Sequence, residues 1–243
     1  MNEQTANHTS NRGARWGAIV LIVLAVLAAY RNSFSGPFIF DDIASIVDNP
    51  TIRRLWPVSV PLWPPFSGGQ TVGGRPILNL SLAVNYAWGG ADVRGYHAVN
   101  LGIHILAALT LFGLVRRTLE RAKLADGRAA CPGRALPTAL VVALLWALHP
   151  LQTESVTYII QRAESLMGLF YLLTLYCFVR FTERGSSFVP LRGTSADEEA
   201  GGVVWAWLSV VCCLLGMATK EVMVSAPVIV FLYDRTFVSG TFR

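Results

Sequence analysis

The sequence has little charge. Asp, Glu, Lys and Arg make up 14% of its 243 residues, against about a quarter in soluble globular proteins. The chain is also 53% hydrophobic, with a mean hydropathy of +0.47. A soluble domain of this size would need a more polar surface, so the composition excludes that class and indicates a membrane protein.

Cysteine is equally scarce, which limits the chemistry that the chain can perform. One cysteine falls in a predicted loop and three fall in predicted membrane spans, without the spacing of a metal site. We therefore expect neither a disulfide nor a metal, and we interpret the cysteines as small apolar residues. They are Cys131, Cys177, Cys212 and Cys213. A soluble basic patch interleaved with aromatic residues is also missing, which argues against nucleic acid as a partner.

Apolar runs recur along the chain with few charges inside them. They predict an all-α, polytopic transmembrane helical bundle with about six spans, at residues 16–30, 98–115, 136–149, 165–181, 203–219 and 222–233. The first run resembles a signal peptide, because basic residues precede it. However, Ala28-Ala29-Tyr30-Arg31 is a weak cleavage site and more spans follow, so we expect an uncleaved anchor.

The distribution of positive charge predicts the orientation in the membrane. Of the 20 Lys and Arg residues, 13 precede the first span or follow the second, fourth and sixth spans. By the positive-inside rule, these regions and the amino terminus are cytoplasmic. The short soluble tails favour a bacterial inner membrane. The predicted parts are a cytoplasmic tail at 1–15, a membrane domain at 16–235 and a tail at 236–243. Within the membrane domain, segment 31–97 is predicted to be extracytoplasmic, with interfacial helices near 62–66 and 86–88.

The most informative local feature of segment 31–97 is a pair of adjacent carboxylates. Asp41 and Asp42 follow the apolar triplet Phe38-Ile39-Phe40, shortly after the first span. Neighbouring like charges raise one another's pKa, and charge is costly beside a bilayer, so the pair indicates a site of chemistry. The alternative is a helix N-cap followed by an acid in the first turn.

Further polar residues are predicted on the same side of the membrane as the acid pair. Two sets have helical spacing: residues 97, 100 and 104 form one stripe, and residues 154, 158 and 162 recur every four residues. The full set is Arg75, His97, Asn100, His104, His149, Glu154, Tyr158, Arg162, Glu164, Lys220 and Glu221.

Each of these features also has a purely structural interpretation. The stripe on the second span is consistent with interhelical hydrogen bonds. His149-Pro150 is typical of a helix end. Arg162 either pairs with neighbours on its own helix or binds a phosphate, which suits a cation in an apolar helix. Lys220 either snorkels with Glu221 as its ion-pair partner or faces a ligand.

Six motifs, in this order, resemble the amino-terminal membrane half of the TMTC proteins, which are transmembrane O-mannosyltransferases with tetratricopeptide repeats and have bacterial relatives. The motifs are Phe38-Ile-Phe-Asp-Asp, Gly74-Arg-Pro-Ile-Leu, Gly95-Tyr-His-Ala-Val-Asn-Leu-Gly-Ile-His104, His149-Pro-Leu-Gln-Thr-Glu-Ser-Val, Gln161-Arg-Ala-Glu and Thr219-Lys-Glu. The resemblance covers about residues 14–235. It implies a GT-C glycosyltransferase fold that uses a polyprenyl-phosphate-linked sugar. The family continues with more spans and repeats, and this chain shows no 34-residue repeat, so we expect an incomplete bundle that a partner chain would complete.

The resemblance also implies a reaction. The chain is expected to transfer a sugar from the lipid-phosphate donor to a protein hydroxyl on the extracytoplasmic side, without a cofactor. Asp41 or Asp42 would be the base, and the other would orient a hydroxyl. Arg162, with Arg75 and Lys220 as alternates, would stabilise the leaving phosphate. The other expected substrate-binding residues are His97, His104, His149, Glu154 and Glu221.

Two other function classes stay open. One is a non-catalytic membrane anchor or assembly partner. The other is a transporter half, since ionisable residues within spans often mark ion paths, although no inverted repeat is evident. An enzyme predicts that five residues converge on one outward-facing cavity, whereas an anchor predicts that they scatter. The five are Asp41, His97, Glu154, Arg162 and Lys220.

Overall fold

The computed structural model is all-α within the residues that it describes, which confirms the predicted class. The described residues are 3–64, 71–122, 133–184 and 196–239, with side chains from residue 12 onward except at 196–200. Sequence features outside them are Pro65, Phe66, Lys123, Arg128, Cys131, Arg192 and Arg243. The α-helices within the described ranges are α1 Glu3–Tyr30, α2 Ser59–Leu62, α3 Pro76–Gly89, α4 Val93–Arg121, α5 Ala135–Ala147, α6 Thr153–Thr157, α7 Arg162–Glu183, α8 Ala196–Met217 and α9 Ala226–Tyr233.

Helices α4 and α7 form the centre of the bundle. α4 packs against α1, α5 and α7, and α7 packs against α8. α5 approaches its neighbours closely because its buried face carries alanine at every fourth position, and small residues let helix backbones come together. These residues are Ala135, Ala139, Ala143 and Ala147.

Local sequence signals explain where the helices begin and end. Pro76 is the first residue of α3, a position that needs no backbone N–H. The Asp92 side chain accepts a hydrogen bond of 3.1 Å from the backbone N–H of Arg94 and so caps α4. α5 ends at Ala147, and His149 caps the short 3₁₀ turn that follows. The predicted helix end at His149-Pro150 is confirmed.

Three helical segments are long and apolar enough to cross a membrane: Arg12–Tyr30, Val93–Arg121 and Ile159–Glu183. A fourth candidate is the pair Ala135–Ala147 and Pro150–Thr157, which bends by 57° at the break. The apolar helix Gly201–Met217 is shorter, and so is α9. The chain is therefore an integral membrane protein with three or four candidate spans in its described part, and six spans are not confirmed.

The predicted helix that carries Glu154, Tyr158 and Arg162 is interrupted. Tyr158 has an extended backbone (φ −97°, ψ 111°) between α6 and α7. The interruption is stable because the backbone N–H of Ile160 donates to Asp42, on another segment, instead of to its own helix. The prediction of one shared face is therefore wrong: Glu154 is exposed, whereas Arg162 is fully buried.

Segment 31–97 contains the short helix α2 and the longer helix α3. The Trp63 side chain that follows α2 is 80% exposed, and that of Trp88 near the end of α3 is 85% exposed. Aromatic rings in such positions are typical of residues at a membrane interface. Contact of this segment with the membrane surface stays a prediction.

Candidate active site

The two aspartates of the acid pair have different environments. Asp42 is fully buried, and its carboxylate accepts hydrogen bonds from the backbone N–H groups of Ile39 at 3.0 Å and Ile160 at 2.8 Å. Burial raises the pKa of Asp42 from its ordinary value of 3.8, although these hydrogen bonds act the other way. Asp41 is exposed and follows Phe40, whose left-handed backbone (φ 43°) makes the turn. Asp42 thus holds this turn against the break before α7, and Asp41 is the exposed acid of the pair.

Asp41 begins a series of polar contacts between distant segments. Its backbone N–H donates to the Tyr158 hydroxyl at 3.2 Å, and its carboxylate accepts a hydrogen bond from the Thr71 hydroxyl at 3.2 Å. Arg75 donates to the backbone carbonyl of Thr71 at 2.9 Å. The same guanidinium reaches both carboxylate oxygens of Glu221, at 3.1 and 3.2 Å. Residues that are up to 146 positions apart in the sequence are thereby brought into contact.

The series continues through Lys220, which directly follows Thr219 and precedes Glu221. Its ammonium group forms an ion pair with the Glu164 carboxylate, near the start of α7. We call this set the polar row: Tyr158, Asp41, Thr71, Arg75, Glu221, Lys220 and Glu164. The expectation that Lys220 and Glu221 pair with each other is wrong, because each reaches a different segment of the chain.

Glu164 connects the polar row to a cavity of about 210 Å³. One wall of the cavity is aromatic: the rings of His104 and Trp146 stack with their centroids 5.2 Å apart. The His104 Nε2 donates to the backbone carbonyl of Ala147 at 2.9 Å, which fixes the ring. The lining residues are His104, Ala107, Trp146, Gln152, Ser155, Glu164, Ser165 and Gly168. An aromatic wall facing hydroxyl, amide and carboxylate groups suits a small polar ligand with an apolar face, such as a sugar ring.

Arg162 lies apart from the polar row, in the interior. It has no exposed surface, and its guanidinium donates to the side chains of Asn100 at 2.7 Å and Asn85 at 2.8 Å. It also donates to the backbone carbonyls of Tyr96 at 3.1 Å and Ser81 at 3.3 Å. We call these five residues the Arg162 cluster. The cluster joins α3, α4 and α7, and it presents no cationic surface to a phosphate.

The polar stripe of α4 makes the interhelical contacts that one interpretation of the sequence predicted. The His97 Nε2 lies 3.0 Å from the backbone carbonyl of Gly36, and the Asn100 amide donates to the backbone carbonyl of Ile159 at 3.0 Å. His104 bonds to α5 as described. Each stripe residue therefore holds a neighbouring segment, which confirms the interpretation as interhelical hydrogen bonds.

The five residues that an enzyme was expected to bring to one cavity do not share one. Asp41 and Lys220 belong to the polar row, His97 and Arg162 are buried, and Glu154 is exposed on α6. The expectation of one shared cavity is therefore wrong, because two of the five residues, His97 and Arg162, form hydrogen bonds within the fold. Within the described residues, no group of three His, Cys, Asp or Glu side chains is placed to hold a metal ion.

Several residues of the site were not singled out by the sequence. Thr71 lies in a loop without any local signal, and Trp146 and Ser165 lie in segments whose sequence is that of an ordinary helix. Gln152 and Ser155 stand within the His149 motif, which was noted for its neighbours. Only that motif contained a usable signal, because cavity walls made by four separate helices leave no short pattern.

Comparison with known proteins finds relatives among the protein O-mannosyl-transferases. The chain is 31% identical over 216 residues to TMTC2 of Mus musculus, an alignment that covers 86% of this chain and 23% of the relative. It is 31% identical over 176 residues to TMTC1 of Mus musculus, covering 70% of this chain and 17% of that protein. It is 27% identical over 221 residues to TMTC4 of Homo sapiens, covering 85% of this chain and 27% of that protein.

The chain thus spans about a quarter of the length of the curated relatives that it matches. No protein-family model and no solved structure matches it. The similarity extends over 70–86% of this chain in these three alignments. These relationships support a TMTC-like membrane region.

Proposed function

We propose that this chain is part of a membrane glycosyltransferase that transfers a sugar from a polyprenyl-phosphate carrier to a Ser or Thr hydroxyl of a protein. The observation that carries the proposal is the polar row, which has an exposed carboxylate at Asp41 and two cations at Arg75 and Lys220. Such a transfer needs a base and a positive group on the same surface. The printed names of the relatives support a sugar donor and a protein acceptor.

Asp41 is the base in this proposal. Its carboxylate takes the proton of the acceptor hydroxyl, and the hydroxyl oxygen forms a bond to the anomeric carbon of the donor. The bond between that carbon and the phosphate oxygen breaks, and its electron pair leaves with the polyprenyl phosphate. Partial burial raises the pKa of Tyr158, so its hydroxyl keeps its proton and donates to a sugar or acceptor oxygen beside Asp41. Asp42 acts by positioning the turn.

Arg75 and Lys220 stabilise the phosphate as its negative charge grows. Both cations are paired with glutamates, and the two glutamate side chains are 72% and 41% exposed. Ion pairs with an exposed partner contribute little, about 0–1 kcal/mol, so the phosphate, which gains a second negative charge as it leaves, can replace a carboxylate at little cost. Arg162 does not take this role, because its donors are used inside the fold.

The sugar of the donor occupies the cavity behind Glu164. The stacked rings of His104 and Trp146 offer an apolar face, while Glu164 and Ser165 offer hydrogen-bonding groups. The cavity lies beside the cation that would hold the phosphate, because Glu164 contacts both. In a direct displacement the acceptor hydroxyl approaches the anomeric carbon opposite the phosphate, so Asp41 and the two cations would stand on opposite sides of that carbon.

The membrane arrangement that we propose is the one predicted from charge. The amino terminus is cytoplasmic, the polar row faces the extracytoplasmic side, and the membrane is a bacterial inner membrane. The fold is of the GT-C type, and spans supplied by further segments or by a partner chain complete the bundle. No cofactor is needed, since the lipid-linked sugar is the donor substrate.

An assembly role is the second candidate. Large apolar side chains are exposed on α5, α8 and α9, among them Leu145, Trp207, Leu214 and Phe231. Such faces fit lipid, and they also fit neighbouring helices. An assembly partner needs these faces and does not need Asp41, which separates the two candidates.

The experiment is transfer of a radiolabelled sugar from polyprenyl phosphate to proteins in membranes that contain this chain. We expect Asp41→Asn to lower transfer by about a hundredfold or more, since a positioned base contributes on this scale. Asp48→Asn is the matched control, because Asp48 is an exposed aspartate of the same loop outside the polar row. Equal transfer by the wild type and Asp41→Asn would remove Asp41 as the base and favour the assembly role.

A further inference from the structure

A second cavity lies between α1, α4 and α7, toward the other end of the bundle. It has a volume of about 340 Å³, and most of its lining is apolar. The lining residues that matter for its chemistry are Arg15, Leu106, Gly113, Arg116 and Tyr176. We call this cavity the arginine groove. It shares no residue with the polar row or with the cavity beside Glu164.

The arginine groove has the length of a lipid chain. From Leu106 to Arg116 it follows α4 for ten residues, which is about 15 Å at the rise of an α-helix. That is about half of the ~30 Å hydrocarbon core of a bilayer, or one leaflet. Its apolar lip is open, since the Leu106 side chain is 54% exposed. A membrane places lipid directly against this opening.

The floor of the groove depends on a glycine. A Cβ atom added to Gly113 would lie 2.9 Å from Cε2 of Tyr176, so only glycine lets this ring lie against α4. The Arg117 guanidinium lies over the Tyr176 ring, 5.5 Å from its centroid, and helps to hold it. The groove is thus formed by specific packing of α4 against α7.

The charges of the groove lie at one end. Arg116 forms an ion pair with Glu120, at 2.7 Å, which neutralises it in part. The Nε of Arg15 is buried and has no hydrogen-bond partner among the described residues. An unpaired buried donor is costly, and a phosphate oxygen is a strong acceptor for it. The groove therefore combines an apolar channel of one leaflet's length with an arginine at its end whose buried Nε–H has no partner among the described residues.

We propose that the arginine groove binds one anionic phospholipid, with an acyl chain along α4 and the phosphate on Arg15. The proposal does not depend on the proposed transfer reaction, because the groove lies outside the site of that reaction. Basic pockets between transmembrane helices bind anionic headgroups by the same combination of charge and apolar surface. The lipid would join α1 to α4 and α7 and stabilise the bundle.

The test is native mass spectrometry of the purified chain with phosphatidylglycerol or phosphatidylcholine of identical acyl chains. We expect one tightly bound phosphatidylglycerol, and about fivefold weaker binding in Arg15→Gln, the effect of one arginine near a lipid headgroup. Arg12→Gln is the control, because Arg12 is an exposed arginine of the same helix that does not line the groove. Thr110→Trp, which fills the groove, should lose phosphatidylglycerol while its melting temperature in phosphatidylcholine stays that of the wild type.

Three results would overturn the proposal. Equal binding of both phospholipids would show that no anionic headgroup is recognised. An equal loss of phosphatidylglycerol binding in Arg15→Gln and Arg12→Gln would indicate general attraction of the lipid to a basic surface. Displacement of phosphatidylglycerol by an equimolar amount of polyprenyl phosphate would make the carrier lipid the occupant instead.

Discussion

The Arg162 cluster and the polar row each contain an arginine, and the two arginines have opposite environments. Arg162 is fully buried and donates four hydrogen bonds within the fold. The Arg75 side chain is 20% exposed and pairs with Glu221, whose side chain is 72% exposed. A buried cation with satisfied partners holds helices together, whereas a cation in an exposed pair is available to a ligand. Of these two arginines, Arg162 is part of the scaffold, and Arg75 is the one that we propose for the site.

The largest effect on stability is expected when Arg162 is removed. Arg162→Ala leaves the side chains of Asn85 and Asn100 and two backbone carbonyls without their donor. Buried polar groups without partners cost about 1–3 kcal/mol each, so we expect a loss of roughly 3 kcal/mol or more and little folded protein. The yield of monodisperse protein in detergent and its melting temperature measure this loss.

The control for this prediction is Arg94→Ala, which removes an exposed arginine from the first turn of α4. It should fold as the wild type does. If Arg162→Ala also folded normally but no longer bound polyprenyl phosphate, Arg162 would belong to the site after all.

A second prediction separates the two aspartates by stability. Asp42→Asn keeps one acceptor and turns an amide N–H₂ toward the N–H of Ile39 or Ile160, so we expect a loss of about 1–3 kcal/mol. Asp41→Asn changes an exposed side chain, so we expect a change within about 0.5 kcal/mol. Thermal unfolding of both variants in the same detergent compares them. Equal losses would contradict the assignment of Asp42 to the fold.

The sequence predicts the features of these two regions that depend on neighbouring residues, and it does not predict those that depend on residues far apart in the chain. Helix ends follow from local signals such as Asp92 and His149-Pro150, and the apolar runs predict the long helices. The break at Tyr158 could not be predicted, because it depends on a hydrogen bond that Asp42 accepts from Ile160 and one that Asn100 donates to Ile159, and both side chains lie far away in the sequence. The same holds for the pairing of Arg75 with Glu221.

The raised pKa of Asp42 predicts a pH dependence. The folded state holds this proton more tightly than the unfolded state, in which the ordinary value is 3.8. The contribution of Asp42 to stability is therefore greatest below pH 3.8 and falls as the pH rises through the higher folded pKa. Relative to Asp42→Asn, the wild type should lose stability as the pH rises above the ordinary value of 3.8, as melting temperatures at acidic and neutral pH would show. If the melting temperature of the wild type instead rose relative to that of Asp42→Asn as the pH increased, the pKa of Asp42 in the folded state would be lowered.

The smallest effect on stability is expected in the polar row. Arg75→Gln breaks an exposed ion pair, which contributes about 0–1 kcal/mol. The melting temperature should therefore stay within about 2–4 °C of the wild type. The double variant Arg75→Gln/Glu221→Gln serves as the control for the charge that is left unpaired. A large loss in Arg75→Gln alone would place this residue in the scaffold beside Arg162.

The most direct measurement of the central claim is binding of polyprenyl phosphate to purified Arg75→Gln and Arg162→Lys proteins, alongside their melting temperatures. The account predicts that Arg75→Gln loses affinity for the lipid by about tenfold at an unchanged melting temperature, since a charge-assisted hydrogen bond contributes on this scale. It also predicts that Arg162→Lys loses thermal stability, while the protein that remains folded keeps its affinity. Normal affinity in Arg75→Gln together with lost affinity in a stable Arg162→Lys would contradict the division into scaffold and site.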